Sequence, residues 1–284
     1  MIGIFDSGYG GLTIARALMD ALPQYSYVYL GDNARAPYGQ RSREEILQFT
    51  TQGIEYLFAQ GCEVVILACN TASANALRAI QQHFLPSKYP HKRVLGIVVP
   101  TIEQITGVPW RHVEPIHQAL ESEQATVGIL ATEQTVNSGA YEIEITKRNP
   151  NIFVAQQACN GLVEAIEAND SEKIEKLIEQ AITELYQKIP SYHPPISALL
   201  LGCTHFELIT DGIKAHLPKD THVYGQPEIV ASSFVQYLKR HPEIQGKLTR
   251  IPARQFYTTG NPEEVADNAS RYMGIKTRFN IVQL

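Results

Sequence analysis

The sequence predicts an α/β fold: two similar doubly wound domains facing each other and related by approximate internal pseudo-symmetry. Three observations predict it. Short apolar runs rich in β-branched residues alternate with helical patterns along the chain, as strands buried on both faces of a parallel sheet do. The opening Ile2-Gly3-Ile4-Phe5-Asp6-Ser7 recurs in form as Val127-Gly128-Ile129-Leu130-Ala131-Thr132. The run Val64–Ala68 ending in Cys69-Asn70-Thr71 recurs as Ala198–Gly202 ending in Cys203-Thr204-His205. At 284 residues the chain exceeds one ordinary core, so two domains are expected. The boundaries are placed at 1–99 with 208–284, and at 100–207.

Taken in order, Ile2–Phe5 reads as a strand and Asp6-Ser7-Gly8-Tyr9-Gly10-Gly11 as a glycine-rich turn. A helix follows with Leu12, Ala15, Leu18 and Leu22 on one face. The turn fails the dinucleotide fingerprint, because Thr13 stands where the last glycine would fall. Backbone N–H groups at such a helix start can hold a carboxylate or a phosphate. Tyr27–Leu30 is the second strand, leading into the polar loop Gly31–Gly39. Ser42 and Glu45 form a capping box for a helix buried through Ile46, Phe49, Ile54 and Leu57. The Cys69 strand then runs into a helix marked by Leu77, Ile80 and Phe84, and Val94–Val98 is a strand closing at Pro100.

In the second half, Val127–Thr132 and Ile152–Ala155 read as strands. Ser171 caps an amphipathic helix carrying Ile174, Leu177, Ile178, Ala181, Ile182 and Leu185. Beyond Cys203, helices are expected at 206–217, 227–240 and 262–273. The last has Pro262 at its start, Glu263 and Glu264 in its first turn and Gly274 past its end.

Composition excludes several classes. A net charge of −5 with no Lys/Arg run argues against a nucleic-acid surface. No basic leader and no apolar run of spanning length is present, so a cytoplasmic protein without a membrane segment is expected. Four cysteines, Cys62, Cys69, Cys159 and Cys203, make neither a disulfide framework nor a C-x-x-C metal site. Cys62 and Cys159 read as core packing.

Cys69 and Cys203 are different, since each ends an apolar strand and is followed by polar residues. A thiolate serves as nucleophile, metal ligand or base. A cysteine hydrolase would leave the second thiol idle, and zinc would need further ligands at suitable spacing. Two identical acid/base groups suit the inversion of a stereocentre, one removing a proton while the other delivers one to the far side. No metal or pyridoxal motif is evident, so no cofactor is expected. Asp6 lies at the adjacent strand end, His205 two residues after Cys203, and Glu167 follows an apolar segment of the second half. Taken singly, Asp6 or His205 would read as a cap or a satisfied polar group, and Glu167 as a solvated helix residue. Arg35 reads as a structural ion pair before it reads as a substrate clamp.

The stretches FDSGYGGLT (5–13), GDNARAPYG (31–39), ACNTASA (68–74), GILATEQTVNSGAY (128–141) and LGCTHF (201–206) together resemble those of bacterial glutamate racemases. The resemblance implies two α/β domains facing each other across an active-site cleft, and cofactor-independent interconversion of L- and D-glutamate, supplying D-glutamate for peptidoglycan. It implies that Cys69 and Cys203 are the two acid/base residues, Cys69 acting on D-glutamate and Cys203 on L-glutamate, with Asp6, His205 and Glu167 in support. Substrate binding would fall to Asp6, Ser7, Tyr38, Gly39, Asn70, Thr71, Thr204 and His205, and the chain would form the family's usual homodimer. Departures from the family pattern are Asn33, Asn160, Phe206, the Gly225–Glu228 segment and extra length at 106–118. Aspartate or hydantoin racemisation is the runner-up, and a non-enzymatic amino-acid-binding protein is the alternative of a different class.

Overall fold

The computed structural model describes residues 1–109 and 124–284. Most of the 106–118 stretch, including Trp110 and Pro115, therefore lies outside the described residues. Ten strands are described: β1 (Ile2–Asp6), β2 (Tyr27–Gly31), β3 (Val64–Leu67), β4 (Arg93–Gly96) and β5 (Ala125–Ala131), then β6 (Ile152–Ala158), β7 (Ile196–Gly202), β8 (His222–Tyr224), β9 (Arg254–Thr258) and β10 (Asn280–Ile281). The chain divides into two units, one of Met1–Ile97 with Pro227–Leu284 and one of Val98–Gln226.

In the first unit the strand order is β10-β9-β2-β1-β3-β4, and every ladder in it is parallel. β1, β2 and β3 are buried along their whole length, which is why they read as unbroken apolar runs. The helix Arg43–Ala59 begins at the expected capping box, with Glu45 N donating to Ser42 Oγ at 3.2 Å and Ser42 N donating to Glu45 Oε2 at 2.9 Å. It packs so closely on β1 that a Cβ at Gly53 would stand 2.2 Å from Phe5 Cε2.

The second unit has the order β6-β5-β7-β8, again with parallel ladders. Around β1 and around β5 the order is the same: the next strand lies on one side, the one after on the other, and the fourth outside that. The sequence echo between β1 and β5 thus falls on the strand at the same place in each order. The amphipathic helix Ser171–Gln187 covers this sheet through Ile178, Ala181, Ile182 and Leu185. Among the described residues no helix is long and apolar enough to cross a membrane.

Several expectations are corrected. Residues 208–226, assigned by sequence to the first domain, belong to the second unit, because β8 pairs with β7 and buried Gln226 donates from Nε2 to Thr101 Oγ1 (3.0 Å) and Tyr141 Oη (3.1 Å). The strand expected to end at Val98 ends at Gly96, and Val98 opens the helix Val98–Thr106. Pro100 sits in the first turn of that helix, where its missing N–H costs nothing. The helix after Cys69 is broken into Asn70–Asn75, Leu77–Ala79, a wider π turn at Ile80–Phe84 and Leu85–Lys88. Pro86 removes one helical donor there, and the widened turn ends two residues before it. The cap of the 171–187 helix is Asp170, whose Oδ1 accepts from Lys173 N at 3.1 Å, so Ser171 is its first residue. The helix expected over 206–217 is a 3-10 segment, Thr204–Ile209, followed by Thr210–Ala215. Thr210 Oγ1 donates to the Glu207 carbonyl at 2.9 Å where the two meet, and such side-chain bonds compete with a continuous helix.

Candidate active site

In the first unit the candidate residues gather at the carboxyl ends of β1, β2 and β3, where parallel α/β sheets place their ligands. Asp6 closes β1 and is buried. Its Oδ2 accepts from Gly8 N (3.1 Å) and Gly11 N (2.9 Å), so the glycine-rich turn wraps its own aspartate. Gly11 must be glycine for this, since a Cβ there would lie 2.6 Å from Asp6 Cβ. Ser7 Oγ stands 3.2 Å from Cys69 Sγ, and Ala72 N donates to the same sulfur at 3.4 Å. Cys69 is the cap of the helix Asn70–Asn75. It is 6 % exposed and belongs to the core cluster that includes Val65, Leu67 and Ala72, so one side of the thiol meets hydrocarbon and the other meets Ser7. Asn70 and Thr71 follow it, both buried.

Tyr38 and Gly39 lie in a 3-10 turn, Tyr38–Gln40, after β2. The Tyr38 hydroxyl donates to Asp32 Oδ2 at 2.5 Å. Burial, and then the Asp32 charge, hold that phenol far above its usual range. Arg35 Nε donates to both Asp32 oxygens (3.0 and 2.7 Å), Thr259 Oγ1 donates to Oδ1 (2.8 Å), and the Arg35 guanidinium lies 4.1 Å over the Phe49 ring. Arg35 is therefore held in a structural ion pair. The hydroxyl of Tyr38 is committed to Asp32, which leaves the backbone of Tyr38-Gly39 as what this turn can offer a ligand.

In the second unit, β7 delivers Cys203, Thr204 and His205 at its carboxyl end, all buried. His205 Nδ1 lies 3.8 Å from Cys203 Sγ, and its Nε2 lies 2.9 Å from Glu167 Oε1. Glu167 is the last residue of the helix Leu162–Glu167, which starts after Gly161 at φ 79°. The structure thus brings three sequence-predicted residues into one chain, carboxylate to imidazole to thiol. Burial by itself lowers the His205 pKa, but the hydrogen bonds to Cys203 and Glu167, with their charges, win and push it up to about 10. An imidazolium at this place stabilises negative charge on the neighbouring sulfur.

Cys62 and Cys159 sit in the two core clusters, as Cys69 and Cys203 do, but not at the polar turns that follow β3 and β7. Burial pushes each of these thiols up to about 12, with the Cys203 charge adding to the effect at Cys159. Among the described residues no three His, Cys, Asp or Glu side chains gather as a metal site. Sequence reasoning missed Tyr29, whose hydroxyl reaches the Asp6 turn from β2, and the anchoring function of Asp32. Tyr29 carries no signal, being one aromatic among several in a strand. Asp32 carries a weak one, as an acid three residues before Arg35.

Residues 12–231 match the family model described as Asp/Glu/Hydantoin racemase. The chain is similar to a glutamate racemase of Dinoroseobacter shibae, at 40 % identity over 99 % of this chain and 98 % of that protein. It is 43 % identical to a glutamate racemase of a Caulobacter species, over 98 % of both chains. Among solved structures it is similar to a Bacillus anthracis glutamate racemase isoform (TM-score 0.84, 28 % identity, covering 100 % of this chain and 97 % of that one). A Francisella tularensis glutamate racemase solved with D-glutamate matches at TM-score 0.82 and 30 % identity, covering 99 % of this chain and 97 % of that one.

Proposed function

This chain belongs to the glutamate racemases of the Asp/Glu/hydantoin racemase family, and from that premise we propose that it interconverts L- and D-glutamate with Cys69 and Cys203 as the two acid/base groups. One sulfur, as thiolate, takes the α-proton while the C–H electron pair stays on carbon. The other, as thiol, returns its own proton to the opposite face of that carbon. The product enantiomer leaves the two sulfurs with exchanged protonation, so the reverse reaction uses the same groups in exchanged roles. No added cofactor enters this scheme.

One observation carries the reading: the same construction, a thiol at the carboxyl end of a parallel strand followed by a polar helical turn, occurs in both units at the same place in the strand order. The supporting groups suit the roles. The Cys203–His205–Glu167 chain supplies a positive partner for a thiolate. In the first unit, Ser7 contacts Cys69, and the Asp6 carboxylate sits in the same turn. Backbone N–H groups after each strand are the donors available for the substrate carboxylates and the charge gained at the α-carbon. Residues Asp6, Ser7, Tyr38, Gly39, Asn70, Thr71, Thr204 and His205 make up the proposed binding set. The same proposal includes a cytoplasmic homodimer that supplies D-glutamate for peptidoglycan.

The test is incubation of the purified protein with D-glutamate in deuterium oxide. Optical rotation should decay and the product should carry α-deuterium. Cys69→Ser and Cys203→Ser should each lower racemisation by about 10²- to 10⁴-fold, the range for a positioned acid or base. A folded protein that exchanges nothing, or exchange that survives both substitutions, overturns the proposal. Aspartate assayed beside glutamate decides the substrate.

A further inference from the structure

Resting on that functional reading, we propose that Tyr29 is a positioning residue for the Cys69 half of the reaction: its buried hydroxyl fixes the Asp6–Gly8 turn that holds Ser7 against the sulfur.

In the parallel register of β1 and β2, Ile4 pairs with Tyr29 and Asp6 with Gly31. Side chains two apart share a sheet face, so Tyr29 reaches along β1 toward Asp6. Its hydroxyl lies 3.1 Å from the Gly8 carbonyl and 3.4 Å from Asp6 Oδ2. One phenolic proton is shared between two acceptors, the shorter distance being to Gly8. Gly8 N in turn donates to Asp6 Oδ2, which closes a ring of hydrogen bonds through Tyr29, Gly8 and Asp6.

A second observation shows how tightly this ring sits on β2. A Cβ at Gly31 would come within 3.0 Å of the Gly8 carbonyl oxygen and 3.3 Å of Tyr29 Cε1. The ring of Tyr29 is itself held by Phe256 (centroids 6.0 Å) and edge-on by Phe279 (6.3 Å), so the hydroxyl has little freedom to move. The ionisable groups facing it are Asp6, Cys69 and Tyr272. Burial, and then the Asp6 charge, hold the phenol well above its usual range, so it is a donor at neutral pH. Ser7, next to the pinned Gly8, is the residue against Cys69 Sγ. What Tyr29 sets is therefore the approach of Ser7, and the orientation of the Asp6 carboxylate, relative to the sulfur.

Tyr29→Phe keeps the ring and deletes the donor. The control is Tyr27→Phe in the same strand, whose hydroxyl donates to the Leu18 and Leu22 carbonyls (2.9 and 3.0 Å) away from the turn. Both variants should lose a similar small amount of urea resistance. Only Tyr29→Phe should lower kcat/KM, by about tenfold, the size of one hydrogen bond expressed in the transition state. Because a racemase has an equilibrium constant of one, that loss must be equal for the two enantiomers. Isotope effects are where the enantiomers part company. With α-deuterated D-glutamate, Cys69 makes the first transfer, so the effect should grow. With α-deuterated L-glutamate, Cys69 acts second, so the effect should shrink. Unchanged isotope effects in an active Tyr29→Phe protein, or the same changes in Tyr27→Phe, overturn the assignment of Tyr29 alone. A folded wild-type protein inert toward both enantiomers overturns the functional reading and this assignment with it.

Discussion

Replacing Glu167 by Gln removes one negative charge from the Cys203 side and keeps the shape of the contact. The present contact is 2.9 Å to a buried His205, and the Glu167 side chain is only 29 % exposed, so water screens it weakly. A hydrogen bond to a charged group contributes about 1.5–3 kcal/mol against about 0.5–1.5 for a neutral one. The difference of about 1–2 kcal/mol corresponds to roughly one pH unit. His205, held up to about 10 by Cys203 and Glu167 against burial, should therefore titrate about one unit lower in Glu167→Gln. At pH 7–8 the imidazole stays mostly protonated in both proteins, so racemisation there should change little. The basic limb of the kcat profile should move down by about a unit, and the His205 ring resonances should report the same displacement in an NMR titration. The sign also fixes a stability effect. A histidine whose folded pKa is raised stabilises the fold fully below its unfolded value near 6.5 and loses that contribution as pH rises through about 10. Urea resistance should fall over that window in the native protein and fall less in the variant. An unmoved basic limb together with an unmoved His205 titration refutes the assigned role of Glu167.

Gly53→Ala should destabilise the protein by about 1–3 kcal/mol in chemical denaturation, the cost of overpacking a core, because its Cβ would meet the buried Phe5 ring at 2.2 Å. An increase in stability, as helix propensity alone would give, would contradict the packing described. Tyr38→Phe should cost about 1.5–3 kcal/mol by withdrawing a donor from the buried Asp32 carboxylate. The same measurement on the variant checks it, and an unchanged urea midpoint counts against Asp32 as the anchor of that loop.

How much of this was legible depended on the range of the interaction. Cys69 and Cys203 stand out as candidates because a buried strand and the polar residues after it are contiguous in sequence. The Ser42–Glu45 capping box was legible for the same reason, since both partners lie within one turn. Asp6, His205 and Glu167 were nameable, but the 2.9 Å bond joining the last two spans 38 residues and shows only in the fold. The second boundary was misplaced because β8 is three residues long with its first residue exposed, so no apolar run announced it. Gln226, which ties that boundary to Thr101 and Tyr141, is a buried polar residue whose partners lie 125 and 85 positions away. Tyr29 was invisible on similar grounds: nothing local separates it from Tyr27, and only the register with β1 turns one hydroxyl toward Asp6 and the other toward a helix end.

The pairing of β2 with β9 joins Tyr27 to Arg254 and Gly31 to Thr258 within one sheet. A growing chain on the ribosome therefore finishes all of Val98–Gln226 before β9, the second neighbour of β2, has been synthesised. The contiguous unit has its partners close by, while the interrupted one must wait for its carboxyl-terminal strands, the more costly kind of closure for a folding chain. Assembly order is thereby written into chain connectivity: the half bearing Cys203 can mature first, and the loop carrying Asp32 gains its Thr259 clamp only after that half has been made.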